Sequence, residues 1–147
     1  MTPPLRKSLL LLGWAGADWR FIQPLLDQGK MPHLHALIET GVMGKLVAQE
    51  PLIPAATWAT LATGVRADRH NILELATLRR EEPFPAPVDA DDLNSLTLWD
   101  LVTRAGGQAT AVGWPVSHPA TVFDSTVISD AFTESRAEDF DSWPLME

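Results

Sequence analysis

The side chains able to bind a metal or move a proton are scattered rather than clustered. The chain has 147 residues, with 19 carboxylates, four histidines and no cysteine, so disulfide and thiolate chemistry are excluded. The histidines do not pair. His33 and His35 are two positions apart and face different sides of any helix. His70 follows a turn signal, and His118 sits between Ser117 and Pro119 in a loop expected after a strand. None has the spacing of a ligand pair, so packing or capping is the expected role of each. Asp18 stands just ahead of an apolar-periodic stretch, the place of a helix N-cap. The net charge of -8 suits a bound divalent cation, and a solvated acidic surface explains it as well. It disfavours nucleic acid and anionic membrane surfaces as partners.

The elements that position these residues follow from punctuation and periodicity. Residues 7–13 are a continuous apolar run ending at Gly13, the pattern of a strand buried on both faces. After Asp18, residues Phe21, Ile22, Leu25 and Leu26 share one helical face, and Gly29 closes the helix. Pro24 implies a late start or a distorted first turn. Pro32 opens a second helix whose face carries Leu34, Leu37 and Ile38 and which Gly41 stops. A strand is expected at 42–48, a short helix at 55–62 ended by Gly64, and a strand at 72–78. Residues 79–92 are rich in proline and charge and read as a loop. Asn94 or Ser95 caps a helix with the stripe Leu98, Leu101, Val102 and Ala105. Strands follow at 109–114 and 126–129.

Alternating strands and helices predict an α/β fold, a mostly parallel sheet flanked by helices. Its chemistry is expected past the carboxyl ends of the strands, which selects residues 13–18 and 50–58. The division expected is a domain over 1–131 and an acidic, partly ordered tail over 132–147. No apolar run approaches the roughly 20 residues that cross a bilayer. Arg6, Lys7 and Leu9–Leu12 resemble a short leader, but Gly13 and Trp14 interrupt the run, and a buried strand explains it. A cysteine-free chain without a membrane span is expected in the cytoplasm.

Three stretches together resemble the type I phosphodiesterase and nucleotide pyrophosphatase branch of the alkaline phosphatase superfamily. The first is Leu10-Leu11-Leu12-Gly13-Trp14-Ala15-Gly16-Ala17-Asp18-Trp19, continued by Gly29-Lys30-Met31-Pro32-His33. The second is Trp58-Ala59-Thr60-Leu61-Ala62-Thr63-Gly64 with Arg66, Asp68 and His70. The third is Leu98-Trp99-Asp100-Leu101, then Gly106-Gly107 and Val112-Gly113-Trp114-Pro115. The resemblance implies the N-terminal part of an alkaline-phosphatase-like domain. It also implies phosphate-ester hydrolysis with two divalent cations, commonly zinc, and a Ser or Thr nucleophile.

The same resemblance points to departures. The family's first strand ends in Gly-x-Asp-Gly with a metal-binding Asp, and Ala15 stands in that place, with Asp18 as the nearby substitute. Counting back from Thr63-Gly64 puts the nucleophile position at Pro54, with Thr57 and then Thr60 as alternatives. The family's Asp-His-Gly signature is absent, and its domains continue beyond this length. The expectation is a degenerate, truncated phosphoesterase, a pseudoenzyme binding its cations weakly or not at all. The alternatives are a non-catalytic binding or assembly module, or one half of a split enzyme completed by a partner chain. The partners implied are a phosphate ester and a protein, or a second copy, covering an incomplete sheet. The six tryptophans suit such contacts or the floor of a pocket.

Overall fold

The computed structural model describes residues 8–47, 49–80, 83–120 and 125–133. They form two compact units, Ser8–Val47 and the residues that follow it. The fold mixes helices with two small sheets, one of them parallel. Among the described residues no helix is long and apolar enough to cross a membrane.

In the first unit, Asp18 caps helix α1 (Trp19–Asp27), its carboxylate accepting from the Arg20 N–H. The helix neither starts late nor distorts its first turn. It runs through Pro24, with Ile22 and Leu26 buried on either side of the missing N–H. Gly29, at φ +67°, completes the exit. Its N–H reaches the Leu26 carbonyl, and the Lys30 N–H reaches that of Leu25, which satisfies the last open carbonyls. Helix α2 (Pro32–Thr40) begins with Pro32 and packs against α1. Leu34 and Ile38 are half-buried, whereas Leu37 is exposed. The strands expected at 7–13 and 42–48 are not formed among the described residues. Residues 8–13 and 42–47 join no ladder. Apolar sequence favours a strand, but a ladder requires a partner.

The second unit is built on helix α3 (Pro54–Thr63), whose buried face is alanine: Ala55, Ala56, Ala59 and Ala62. Such small side chains let other backbone approach closely. Ala55 and Ala59 form the core with Ile72 and Val116, and Val88 and Leu93 pack against it. A short α4 (Ala67–His70) follows. Of the strand expected at 72–78 only β1 (Ala76–Thr77) pairs, antiparallel, with β2 (Ala86–Pro87), which lies inside the stretch read as loop. Pro87 lacks a donor, which keeps this ladder short.

Helix α5 (Leu98–Arg104) is capped by Thr97 rather than Asn94 or Ser95. The Thr97 hydroxyl and N–H and the Asp100 carboxylate and N–H hold one another reciprocally. Leu98 and Leu101 are exposed. Strand β3 (Thr110–Val112) pairs in parallel with β4 (Thr126–Ile128), Ala111 opposite Val127. A 3-10 turn over Asp130–Thr133 follows. Most of the acidic segment 132–147 lies outside the described residues.

Candidate functional site

The side chains with chemistry fall into the two units separately. In the first, Gly13-Trp14-Ala15-Gly16 turns with the Ala17 N–H on the Trp14 carbonyl and Gly16 in the left-handed region at φ +71°. Ala15, at the position where the resemblance expects a ligating carboxylate, carries a methyl group. Asp18 is close in sequence but already engaged. One oxygen takes the Arg20 N–H at 2.8 Å, and the other takes the Arg20 guanidinium at 3.0 and 2.8 Å. The guanidinium, and next the Arg20 N–H, hold the Asp18 carboxyl below the usual carboxylate range. The pair is solvent-exposed and therefore contributes little to stability. Its effect is to fix the carboxylate at the helix end.

In the second unit, Pro54 is the first residue of α3. One turn on, the Thr57 hydroxyl donates to the Ile53 carbonyl at 3.0 Å, so its proton is held by its own helix. Thr60 is joined to His70, Oγ1 to Nε2, at 2.9 Å. That distance suits a hydroxyl and its base, but the tautomer does not. His70 Nδ1 accepts the Ile72 N–H at 3.1 Å, which leaves the ring proton on Nε2. Nε2 therefore donates to Thr60 and cannot take its proton. Burial lowers the His70 pKa and keeps the ring neutral, although nearby backbone carbonyls oppose the shift. Packing is thus the role of His70.

A further cluster lies where β3 ends and was not singled out from the sequence. Val116 is buried and adopts φ +64°, which a β-branched residue reaches only under strain. Asp130 holds it there. Its carboxylate accepts the Val116 N–H at 2.8 Å, the Ser117 N–H at 3.2 Å and the Ser117 hydroxyl at 3.3 Å. The Asp130 N–H in turn donates to the Ser117 oxygen at 3.0 Å. Nothing local in Trp114-Pro115-Val116-Ser117 announces a partner 13 residues on. Beside this bracket lies a cavity of about 150 Å³, lined by Thr97, Trp99, Asp100, Val116, Ser117 and Val127. Asp130→Ala is expected to destabilise the protein by roughly 1–3 kcal/mol, because two N–H groups lose their acceptor. Thermal melts of the two proteins check this.

The cavity borders a cluster of indoles. Trp114 meets Trp58 edge-on, with centroids 5.1 Å apart, and Trp99 at 6.1 Å. Its ring N–H donates to the Trp58 carbonyl at 3.2 Å, which ties α3 to the exit of β3. Trp14, in the other unit, is largely exposed.

Two divalent cations need carboxylates and imidazoles that converge. Among the described residues no three His, Asp or Glu side chains come together in that way. Asp89 and Asp92 are held by Arg79 and by the turn they cap. His33, His35 and His118 are exposed. His35 lies 3.6 Å from Glu39, and His118 lies 3.4 Å from the Ser129 hydroxyl. The described residues therefore do not fit a two-cation centre.

No curated protein and no solved structure matches the chain. The sequence profile of the type I phosphodiesterase / nucleotide pyrophosphatase family matches residues 9–143, nearly the whole length. The three stretches quoted above, the parallel β3–β4 ladder and the helix opening at Pro54 all lie within the match. On that ground the chain belongs to the type I phosphodiesterase / nucleotide pyrophosphatase family.

Proposed function

We propose that this chain keeps the family's scaffold without its hydrolysis, and works as a binding or assembly module. The carrying observation is at the start of α3. The position that the resemblance gives the family nucleophile holds Pro54, which has no hydroxyl, and the nearest alternative, Thr57, donates its hydroxyl hydrogen bond to the Ile53 carbonyl. A hydroxyl so engaged, with no base hydrogen-bonded to it among the described residues, is a poor nucleophile. The metal side of the site supports the same reading. Ala15 has no ligand atom, and Asp18 is neutralised by Arg20. The scaffold is read as an alkaline-phosphatase-like domain, of which the β3–β4 ladder is the parallel part.

The test is hydrolysis of a chromogenic phosphodiester by the purified chain with added zinc or manganese, beside a chelator control. The expected result is no chelator-sensitive turnover. Ala15→Asp is expected to leave that unchanged, since one carboxylate supplies neither a nucleophile nor the rest of a cation site. A measurable gain from Ala15→Asp would sink the proposal. Turnover by the unaltered chain would do so as well, and would make Thr57→Ala and Asp18→Ala the next variants to assay.

A further inference from the structure

We infer that the cavity beside the Asp130 bracket binds a small primary ammonium compound, its nitrogen on the Asp100 carboxylate and its compact apolar body against Trp99, Val116 and Val127. Leu93, Leu96, Trp99, Val116 and Val127 give the cavity apolar walls, and Asp100 is the one ionisable side chain that lines it. Apolar walls around a few fixed polar groups are the make-up of a small-molecule site. The volume of about 150 Å³ suits a benzene-sized body. One wall is held in place: Val116 is buried, and Asp130 keeps it at its strained φ of +64°. Strain that the surrounding structure maintains collects at ligand sites.

The polar atoms decide the sign of the ligand. No Lys, Arg or His lines the cavity. Its hydroxyl protons are all committed: Ser95 donates to the Arg69 carbonyl, Thr97 to Asp100 Oδ2 and Ser117 to Asp130. An anion such as a phosphate ester would meet a like charge and find no hydroxyl proton to accept. Asp100 is the reverse case. Its Oδ2 accepts from the Thr97 N–H and hydroxyl, at 2.9 and 2.5 Å. Its Oδ1 accepts nothing among the described residues, and the carboxylate has no ion pair among them. A half-buried carboxylate with one open oxygen is completed by a charge-assisted bond from an ammonium N–H. The Trp99 indole on the same wall favours that charge where the cation meets its face.

None of Ala15, Asp18, Pro54 and Thr57 lines this cavity, so the inference goes beyond the loss of hydrolysis. Turnover decides that reading and ligand binding decides this one, so each can fail alone. The experiment titrates benzylamine, protonated at neutral pH, into the purified full chain. Binding is followed by calorimetry and by the backbone amide shifts of isotope-labelled protein. Benzyl alcohol, of the same shape without the charge, is the comparison. The expected result is a dissociation constant of about 1 mM for the amine, as suits a ligand of this size. Shifts are expected at the amides of Thr97, Val116, Ser117 and Val127. The alcohol should bind at least tenfold more weakly, and Asp100→Asn should weaken the amine at least tenfold. The inference is overturned if the amine does not bind, if those four amides stay unmoved, or if the alcohol binds equally well. An Asp100→Asn protein that binds the amine as the parent does also overturns it. Should that variant fail to fold, the comparison of amine with alcohol on the unaltered chain decides.

Discussion

Replacing Ile72 by alanine is expected to lower stability by about 2–5 kcal/mol, the largest loss from any single truncation of an apolar side chain here. Ile72 is fully buried and is the largest apolar side chain at the centre of its unit. Its neighbours are Ala55, Ala59 and Val116. Alanines cannot reach across to fill the space, so the cavity term persists in full. Marginal stability makes such a loss a large part of the total. Urea denaturation checks it: the midpoint should fall with the slope unchanged. A loss under about 1 kcal/mol would mean that this cluster is not the centre of the unit, because even a conservative core truncation costs that much.

The second expected result is a loss of stability on acidification that His70 controls. Burial lowers its pKa below the ordinary 6.5, so the folded chain holds the ring neutral while the unfolded chain takes up a proton. The stabilisation is therefore complete above pH 6.5. It is lost as pH falls through 6.5 toward the lower folded value. The geometry supplies the reason. A proton added at Nδ1 would point at the Ile72 N–H, which now donates to that atom at 3.1 Å. One proton limits the slope to about 1.4 kcal/mol per pH unit. Urea midpoints measured from about pH 7.5 to about pH 5 should fall in the parent protein and flatten in His70→Gln. An equal slope in both would assign the acid sensitivity elsewhere.

What could be read in advance depended on the range of the interaction. Asp18, Gly29, Pro32 and Gly64 mark helix ends through contacts within one turn, and all four boundaries stand where their residue types place them. The Thr97 cap was equally legible, since Thr97-Leu98-Trp99-Asp100 has the spacing of a reciprocal cap, but the polar residues just before it drew the boundary earlier. Strands were harder. Residues 9–12 and 42–47 have strand composition without a ladder, while Ala86–Pro87, in a proline-rich stretch, forms one. Pairing depends on the partner, which composition does not name. The candidate site divided in the same way. The residue types at 15 and 54 are plain in the sequence. The attachment of Asp18 to Arg20, the back-bonded Thr57 hydroxyl and the Asp130 bracket appear only once side chains have neighbours.

The indole cluster has a consequence for following the folding of this protein. The Trp114–Trp58 hydrogen bond spans 56 residues, so it forms only when a long loop has closed. The helix α3 beneath it depends on local contacts, which assemble far sooner. Near-ultraviolet circular dichroism, dominated by indoles held edge to edge, should therefore lag behind far-ultraviolet ellipticity during refolding. The interval between the two signals would time the arrival of β3 on the helices, with no label introduced.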